Sequence, residues 1–133
     1  MSTTHEQVPI ATSGDVVLVR NAVRSAAERM GFRSIDVTKL VTAASEIARN
    51  TLVYGGGGTA DVECVQERRS GVRVVFEDHG PGIVDLDLAL SPGYTSGGGL
   101  GLGLSGSKKL VDEFEIDSEV MRGTRVTMTK WRP

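Results

Sequence analysis

Two helical stripes lead the chain and alternating strands follow. Val16, Val19, Val23, Ala26, Ala27 and Met30 recur at intervals of three and four, which predicts a helix from Asp15 to Met30, stopped by Gly31. Val37, Leu40, Val41, Ala44, Ile47, Ala48 and Thr51 form a second stripe, with Asp36 as the expected N-cap and Gly55–Gly58 beyond its end as a plain loop. The period then changes to two. Ala60, Val62 and Cys64 alternate with Thr59, Asp61 and Glu63. Val72, Val74 and Phe76 follow after a turn at Arg68-Arg69-Ser70-Gly71, so the pair reads as a hairpin. A third helix is predicted up to about Glu113, with Leu104, Leu110 and Val111 inward. Strands Phe114–Val120 and Thr124–Trp131 close the chain around a turn at Met121-Arg122-Gly123. A short strand near Val8–Ile10 is expected at a sheet edge. Helices on one face of a mixed, mostly antiparallel sheet make a two-layer α/β sandwich of the α+β class.

A length of 133 residues fits a single domain, 1–133, able to bury a core without disulfides or metals. The net charge of −2 gives no general pull toward nucleic acid or anionic membrane. No apolar run is long enough to span a bilayer, and Met1-Ser2-Thr3-Thr4-His5-Glu6 lacks a signal-peptide layout, so a cytoplasmic protein is expected. The single Cys64 falls on the inward phase of its strand and reads as a buried structural thiol.

Four groups of residues carry candidate chemistry. Glu46 and Asn50 lie four apart on the second helix, on a face beside the apolar stripe. The amide oxygen is a hard ligand suited to Mg²⁺, and the carboxylate one turn away suits a base; Glu and Asn four apart are common, and on spacing alone a solvated helix face is the better reading. Asp78 ends a strand and precedes Gly80 and Gly82. A carboxylate there accepts from the exocyclic amine of adenine, where guanine offers no amine, but Asp, Gly and Pro also make ordinary turns. Seven of the 17 glycines fall between Gly93 and Gly106. Glycine costs ordering entropy, so the cluster points to close backbone approach by a ligand, and its helix-opening position suits phosphate. It is neither a Walker loop nor a Rossmann fingerprint. Gly123-Thr124 supplies a hydroxyl at the start of the last strand. His79 reads as an exposed spacer, and Lys108 and Lys109 as a solvated helix face.

Together and in this order, Glu-x-x-x-Asn on a helix, Asp-x-Gly-x-Gly after a strand, a Gly-Leu-Gly tract and a late Gly-Thr resemble the Bergerat ATP-binding fold of the GHKL superfamily. The resemblance spans nearly the whole chain. Ala44-Ser45-Glu46-Ile47-Ala48-Arg49-Asn50, Glu77-Asp78-His79-Gly80-Pro81-Gly82-Ile83, Gly93-Tyr94-Thr95-Ser96-Gly97-Gly98-Gly99-Leu100-Gly101 and Lys109-Leu110-Val111-Asp112-Glu113-Phe114 are similar to the RsbT-like switch-protein serine/threonine kinases.

The resemblance implies that Glu46 is the general base and that Asn50 ligates Mg²⁺ at bound ATP. It implies that Asp78 and Thr124 hold adenine and that Gly80 and Gly82 shape the base pocket. Gly99, Gly101, Leu102 and Gly103 would cradle the phosphates beneath a lid from about Ile83 to Gly99. The bulk of Leu102 and the following Ser105-Gly106-Ser107 depart from the family pattern. The implied substrate is a STAS-domain antagonist phosphorylated on Ser or Thr. The implied downstream partner is a PP2C-type phosphatase in a partner-switching stress pathway that frees a sigma factor, with a multi-protein stress-sensing complex as a further partner. The alternatives are an anti-sigma factor of the SpoIIAB type and a non-catalytic ATP-gated binding module. A sensor histidine kinase is disfavoured, because the stretch before the second helix has no room for a phosphoacceptor hairpin.

Overall fold

A computed structural model describes residues 4–91 and 103–133. The element order is β1 (Thr4–Ile10), α1 (Ser13–Arg29), α2 (Ser34–Val53), β2 (Gly58–Gln66), β3 (Ser70–Asp78), α3 (Leu86–Ala89), α4 (Gly103–Leu110), β4 (Glu113–Glu119) and β5 (Gly123–Trp131). The sheet runs β1-β2-β3-β5-β4, and every pairing is antiparallel. α1 and α2 pack against each other and against the sheet, as the α+β two-layer reading requires. Both stripes face inward: Val19, Val23, Leu40, Ala44 and Ile47 are buried and meet Val62, Val72, Val74, Phe76 and Met128 from the strands. Burying a side chain the size of Leu40, Ile47 or Phe76 contributes roughly 1.5–3 kcal/mol.

α1 begins two residues before the expected start. Thr12 is its N-cap, with the Asp15 N–H donating to Thr12 Oγ1 at 3.3 Å. The Asp15 carboxylate closes the capping box by accepting from the N–H groups of Ala11 and Thr12 at 2.8 and 3.0 Å. These two backbone donors hold the Asp15 carboxyl below its ordinary value.

Asp36 is not the N-cap of α2. That position belongs to Arg33, which makes no side-chain cap, and Asp36 lies within the first helical turn. Its carboxylate is buried between Arg33 Nη2 at 3.1 Å and Lys130 Nζ at 3.8 Å. Lys130 also donates to the Leu110 carbonyl at 3.3 Å. A buried lysine needs a counter-charge more than a helix end needs a cap, because an unpaired buried charge is expensive.

Three boundaries shift for local reasons. The β2–β3 loop is Glu67-Arg68-Arg69, because Gln66 pairs with Ser70. α4 stops at Leu110 and not at Glu113, since the Asp112 N–H donates to Thr129 O at 3.0 Å and Glu113 pairs opposite Thr129. Leu104 is buried, while Leu110 and Val111 are partly buried against the core. β1 is longer than Val8–Ile10 and pairs with β2 along its whole length. Cys64 is buried facing α1, and loss of water around it pushes the thiol pKa up, as a structural thiol requires.

Among the described residues, no helix is long and apolar enough to cross a membrane.

Candidate functional site

α2, the end of β3 and the start of β5 converge on one cavity of about 300 Å³. Its apolar wall includes Ile47, Phe76, Ile83, Leu104 and Val126. Its polar wall includes Asn50, Thr51, Asp78, Asp85 and Thr124, and Gly55, Gly82 and Gly103 also line it. Five of the residues singled out from the sequence therefore share one space: Asn50, Asp78, Gly82, Gly103 and Thr124. A mostly apolar cleft with a few converging polar groups is the ordinary form of a small-molecule site.

Asp78 is fixed from behind. Its Oδ1 accepts from the N–H of Gly80 at 2.9 Å and of Thr124 at 3.3 Å. With Oδ1 held by the backbone, Oδ2 is left to accept from a ligand. The half-buried Asn50 amide makes no hydrogen bond to any described residue, which leaves its carbonyl oxygen for a cation or a water. The residues thus fit a purine with a donor amine at Asp78 and a hard cation at Asn50, both on the wall of one cavity.

Three glycines are needed here for contact, not only for turning. A Cβ on Gly55 would stand 2.4 Å from Asp78 Cγ, and one on Gly80 would stand 2.8 Å from the Gly55 backbone. Gly80 does not line the cavity; it packs behind the carboxylate. Gly82 has φ +78°, and a Cβ there would meet the Glu119 carbonyl oxygen at 2.3 Å. Gly55, Gly56 and Gly57 form the loop between α2 and β2 as expected, but Gly58 opens β2 with no room for a Cβ beside the Glu77 carbonyl, and Gly55 packs directly against Asp78. Gly55→Ala is expected to cost about 1–3 kcal/mol in stability by overpacking. By displacing Asp78 it should also weaken ligand binding in the cavity about tenfold. Thermal melts and calorimetry of the same sample separate the two effects, and unchanged ligand affinity would remove Gly55 from the site.

Ser118 was not foreseen. Its hydroxyl accepts from the Ile83 N–H at 2.8 Å, lies 2.8 Å from Thr124 Oγ1, and is 3.2 Å from the Gly123 carbonyl. It ties the segment leaving the Asp78 loop to the start of β5. The signal was present: Ser118 continues the inward phase of Phe114 and Ile116 in β4, where a polar residue needs partners.

Glu46 does not line the cavity. It sits one turn before Asn50 on α2, with its side chain 13% exposed. Oε1 pairs with Arg49 Nη1 at 2.8 Å, and Oε2 is buried with no hydrogen-bond partner among the described residues. His79, Lys108 and Lys109 are exposed, as expected. Gly99, Gly101 and Leu102 lie outside the described residues, as does the second part of the expected lid, residues 92–99. Of the lid's first part, α3 is a short helix capped by Asp85, whose Oδ1 accepts from the Leu88 N–H at 3.0 Å.

The family profile of the histidine kinase-like ATPase domain matches residues 10–130. The chain belongs to the histidine kinase-like ATPase family. The serine/threonine-protein kinase RsbT of Bacillus subtilis is 40% identical over 125 residues, covering 93% of this chain and 94% of that protein. The anti-sigma F factor of Clostridium novyi is 31% identical over 102 residues, covering 71% of each. Among solved structures, the RsbU and RsbW domains of Rv1364c from Mycobacterium tuberculosis align with a TM-score of 0.68 at 23% identity, covering all of this chain and 34% of that one. The mycobacterial sensor histidine kinase MprB aligns with a TM-score of 0.58 at 22% identity, covering 98% of this chain and 99% of that one. The two structural likenesses bear on the fold. The sequence relationship places the chain among RsbT-like enzymes of the serine/threonine kinase class.

Proposed function

We propose that this family member binds Mg·ATP in the cavity between α2 and the β3–β5 strand pair and phosphorylates a Ser or Thr of a STAS-domain antagonist. The observation that carries the reading is the convergence of Asn50 and Asp78, distant in sequence, on the wall of one cavity. Asp78, held by two backbone donors, accepts the adenine amine, and the Thr124 hydroxyl supports the same edge. Gly82 gives the base its backbone contact, and Gly80 keeps Asp78 in place from behind. Mg²⁺, when bound, neutralises charge on the phosphate oxygens. Asn50 is its protein ligand. Gly103 opens α4 with φ +64°, and with Gly99, Gly101 and Leu102 it lines the phosphate end. Glu46 takes the proton of the acceptor hydroxyl, and Oε2, which has no hydrogen-bond partner among the described residues, is the atom that does so.

In this reading, the kinase works in the cytoplasm as a partner switch. The unphosphorylated antagonist retains it; phosphorylation releases it to activate a PP2C-type phosphatase in a stress pathway that controls a sigma factor. A larger stress-sensing complex holding the antagonist fits the same scheme. Neither nucleic acid nor a membrane is a partner, in keeping with the net charge of −2.

The second reading is an anti-sigma factor that binds a sigma factor directly, favoured by the likeness to the anti-sigma F factors. The kinase reading rests on the higher identity and fuller coverage of the RsbT relationship. Incubating the protein with radiolabelled ATP, Mg²⁺ and the STAS-domain proteins of the same genome separates the two. Label on a Ser or Thr of one STAS protein, with no sigma factor retained in a pull-down, is the expected result. Retention of a sigma factor in an ATP-dependent complex, with no label transferred, would establish the alternative.

A further inference from the structure

We propose that Arg49 is a positioning residue for phosphoryl transfer, acting through Glu46. The inference rests on the reading of Glu46 as general base. Three observations carry it. Arg49 Nη1 lies 2.8 Å from Glu46 Oε1, the shortest ion-pair separation on α2. The two carboxylate oxygens are unequal: Oε1 is taken by the guanidinium, while Oε2 is buried with no hydrogen-bond partner among the described residues. The burial of the pair is also unequal, with Glu46 13% exposed and Arg49 43% exposed.

A carboxylate with one oxygen bound and the other bare has a defined direction. An i,i+3 ion pair on a helix surface contributes little to stability, because solvent screens it. Its effect here is geometric: the guanidinium fixes the rotation of the carboxylate about its last bond. That rotation is otherwise broad, as for any sp³–sp² torsion. A bare buried oxygen is costly to maintain. Oε2 is closed to solvent in this state, so a donor reaches it only when substrate binding uncovers it, and the acceptor Ser or Thr of the substrate is such a donor. Asn50, on the same helix face one turn further on, lines the cavity that holds the nucleotide. Arg49 therefore sets the angle at which Oε2 meets a hydroxyl arriving beside that cavity. The guanidinium does not itself line the cavity, so the role does not run through nucleotide contact.

In the transfer step, the hydroxyl oxygen forms a bond to the γ-phosphorus as the bond from phosphorus to the β–γ bridging oxygen breaks. The proton passes to Glu46 Oε2 and then to solvent, and the products are ADP and the phosphoprotein. Arg49 remains charged and paired with Oε1 throughout.

The test is a mutant cycle on Glu46 and Arg49, using single-turnover transfer from Mg·ATP to the STAS-domain acceptor, with nucleotide affinity and melting temperature measured on every variant. Arg49→Ala is expected to lower the transfer rate roughly 10- to 100-fold, the scale of losses from misoriented catalytic groups, at unchanged ATP affinity. Arg49→Lys, which restores a cation but not the planar fork, should recover part of the rate. In a Glu46→Gln background, Arg49→Ala should have almost no further effect, because residues that act as a unit are not additive. Additive losses in the double variant, a wild-type rate for Arg49→Ala, or a loss confined to ATP affinity would each overturn the positioning role. Full activity of Glu46→Gln alone would instead overturn the general-base reading, and the role of Arg49 with it. Any variant that melts early is replaced in the cycle by Arg49→Gln, which keeps most of the side-chain volume.

Discussion

Glu46→Gln is expected to leave ATP affinity unchanged and to slow phosphoryl transfer by about 10²–10⁴-fold, the usual contribution of a positioned general base. The substitution is nearly isosteric. Gln keeps an amide oxygen for Arg49 in place of Oε1 and keeps the packing of a side chain that is mostly buried. It removes the one property the mechanism needs, a basic oxygen free to take a proton. Because Glu46 does not line the cavity, nucleotide affinity is expected to survive the change. Rapid-quench transfer under single-turnover conditions isolates this step from product release, and calorimetry with ATP reports binding on the same protein. An unchanged transfer rate would show that Glu46 is not the base. A large loss of ATP affinity would show that it belongs to the nucleotide site.

Asp78→Asn should have the opposite signature: ATP affinity falls while the fold survives. The Asn carbonyl can take the place of Oδ1 and still accept from Gly80 and Thr124. That assignment puts the amide NH₂ where Oδ2 was, against Gly55 and the cavity. The adenine amine then meets a donor where it had an acceptor. Losing a hydrogen bond to a charged group costs about 1.5–3 kcal/mol, which corresponds to a Kd roughly 10- to 100-fold weaker. Calorimetric titration with ATP, paired with a thermal melt, checks both halves. Wild-type affinity would exclude the carboxylate from base recognition, and a collapsed melting temperature would mean that Asp78 is chiefly structural.

Much of the fold was legible because it is written in periods. The stripes of α1 and α2 all turn inward, and the alternation in β2 and β3 places Val62, Cys64, Val74 and Phe76 in the core. What escaped were residues whose meaning is set by a distant partner. Asp36 looks like a cap from its neighbours, but Lys130, near the other end of the chain, draws it into a buried pair. Gly55 sits in a run of four glycines that reads as a loop, and only its contact with Asp78 shows why a methyl group is not tolerated.

The site follows the same division. Asn50, Asp78, Gly82, Gly103 and Thr124 were recognisable by residue type and order, and they meet at one cavity. Ser118, which bridges Ile83 and Thr124, required knowledge of which strand faces which. The pairing of Glu46 with Arg49 follows from helical spacing, but the burial of Glu46 Oε2 does not, because it depends on what packs around α2. Sequence order revealed the parts, and tertiary contact revealed how the carboxylates are aimed.

The central claim is that one cavity holds a purine triphosphate between Asp78 and Asn50. A crystal structure of the protein with Mg²⁺ and a non-hydrolysable ATP analogue tests it most directly. The predicted result is the adenine amine within hydrogen-bond distance of Asp78 and a Mg²⁺ ion ligated by the Asn50 carbonyl oxygen. An analogue seated elsewhere on the protein, or a base turned away from Asp78 with no metal at Asn50, would contradict it.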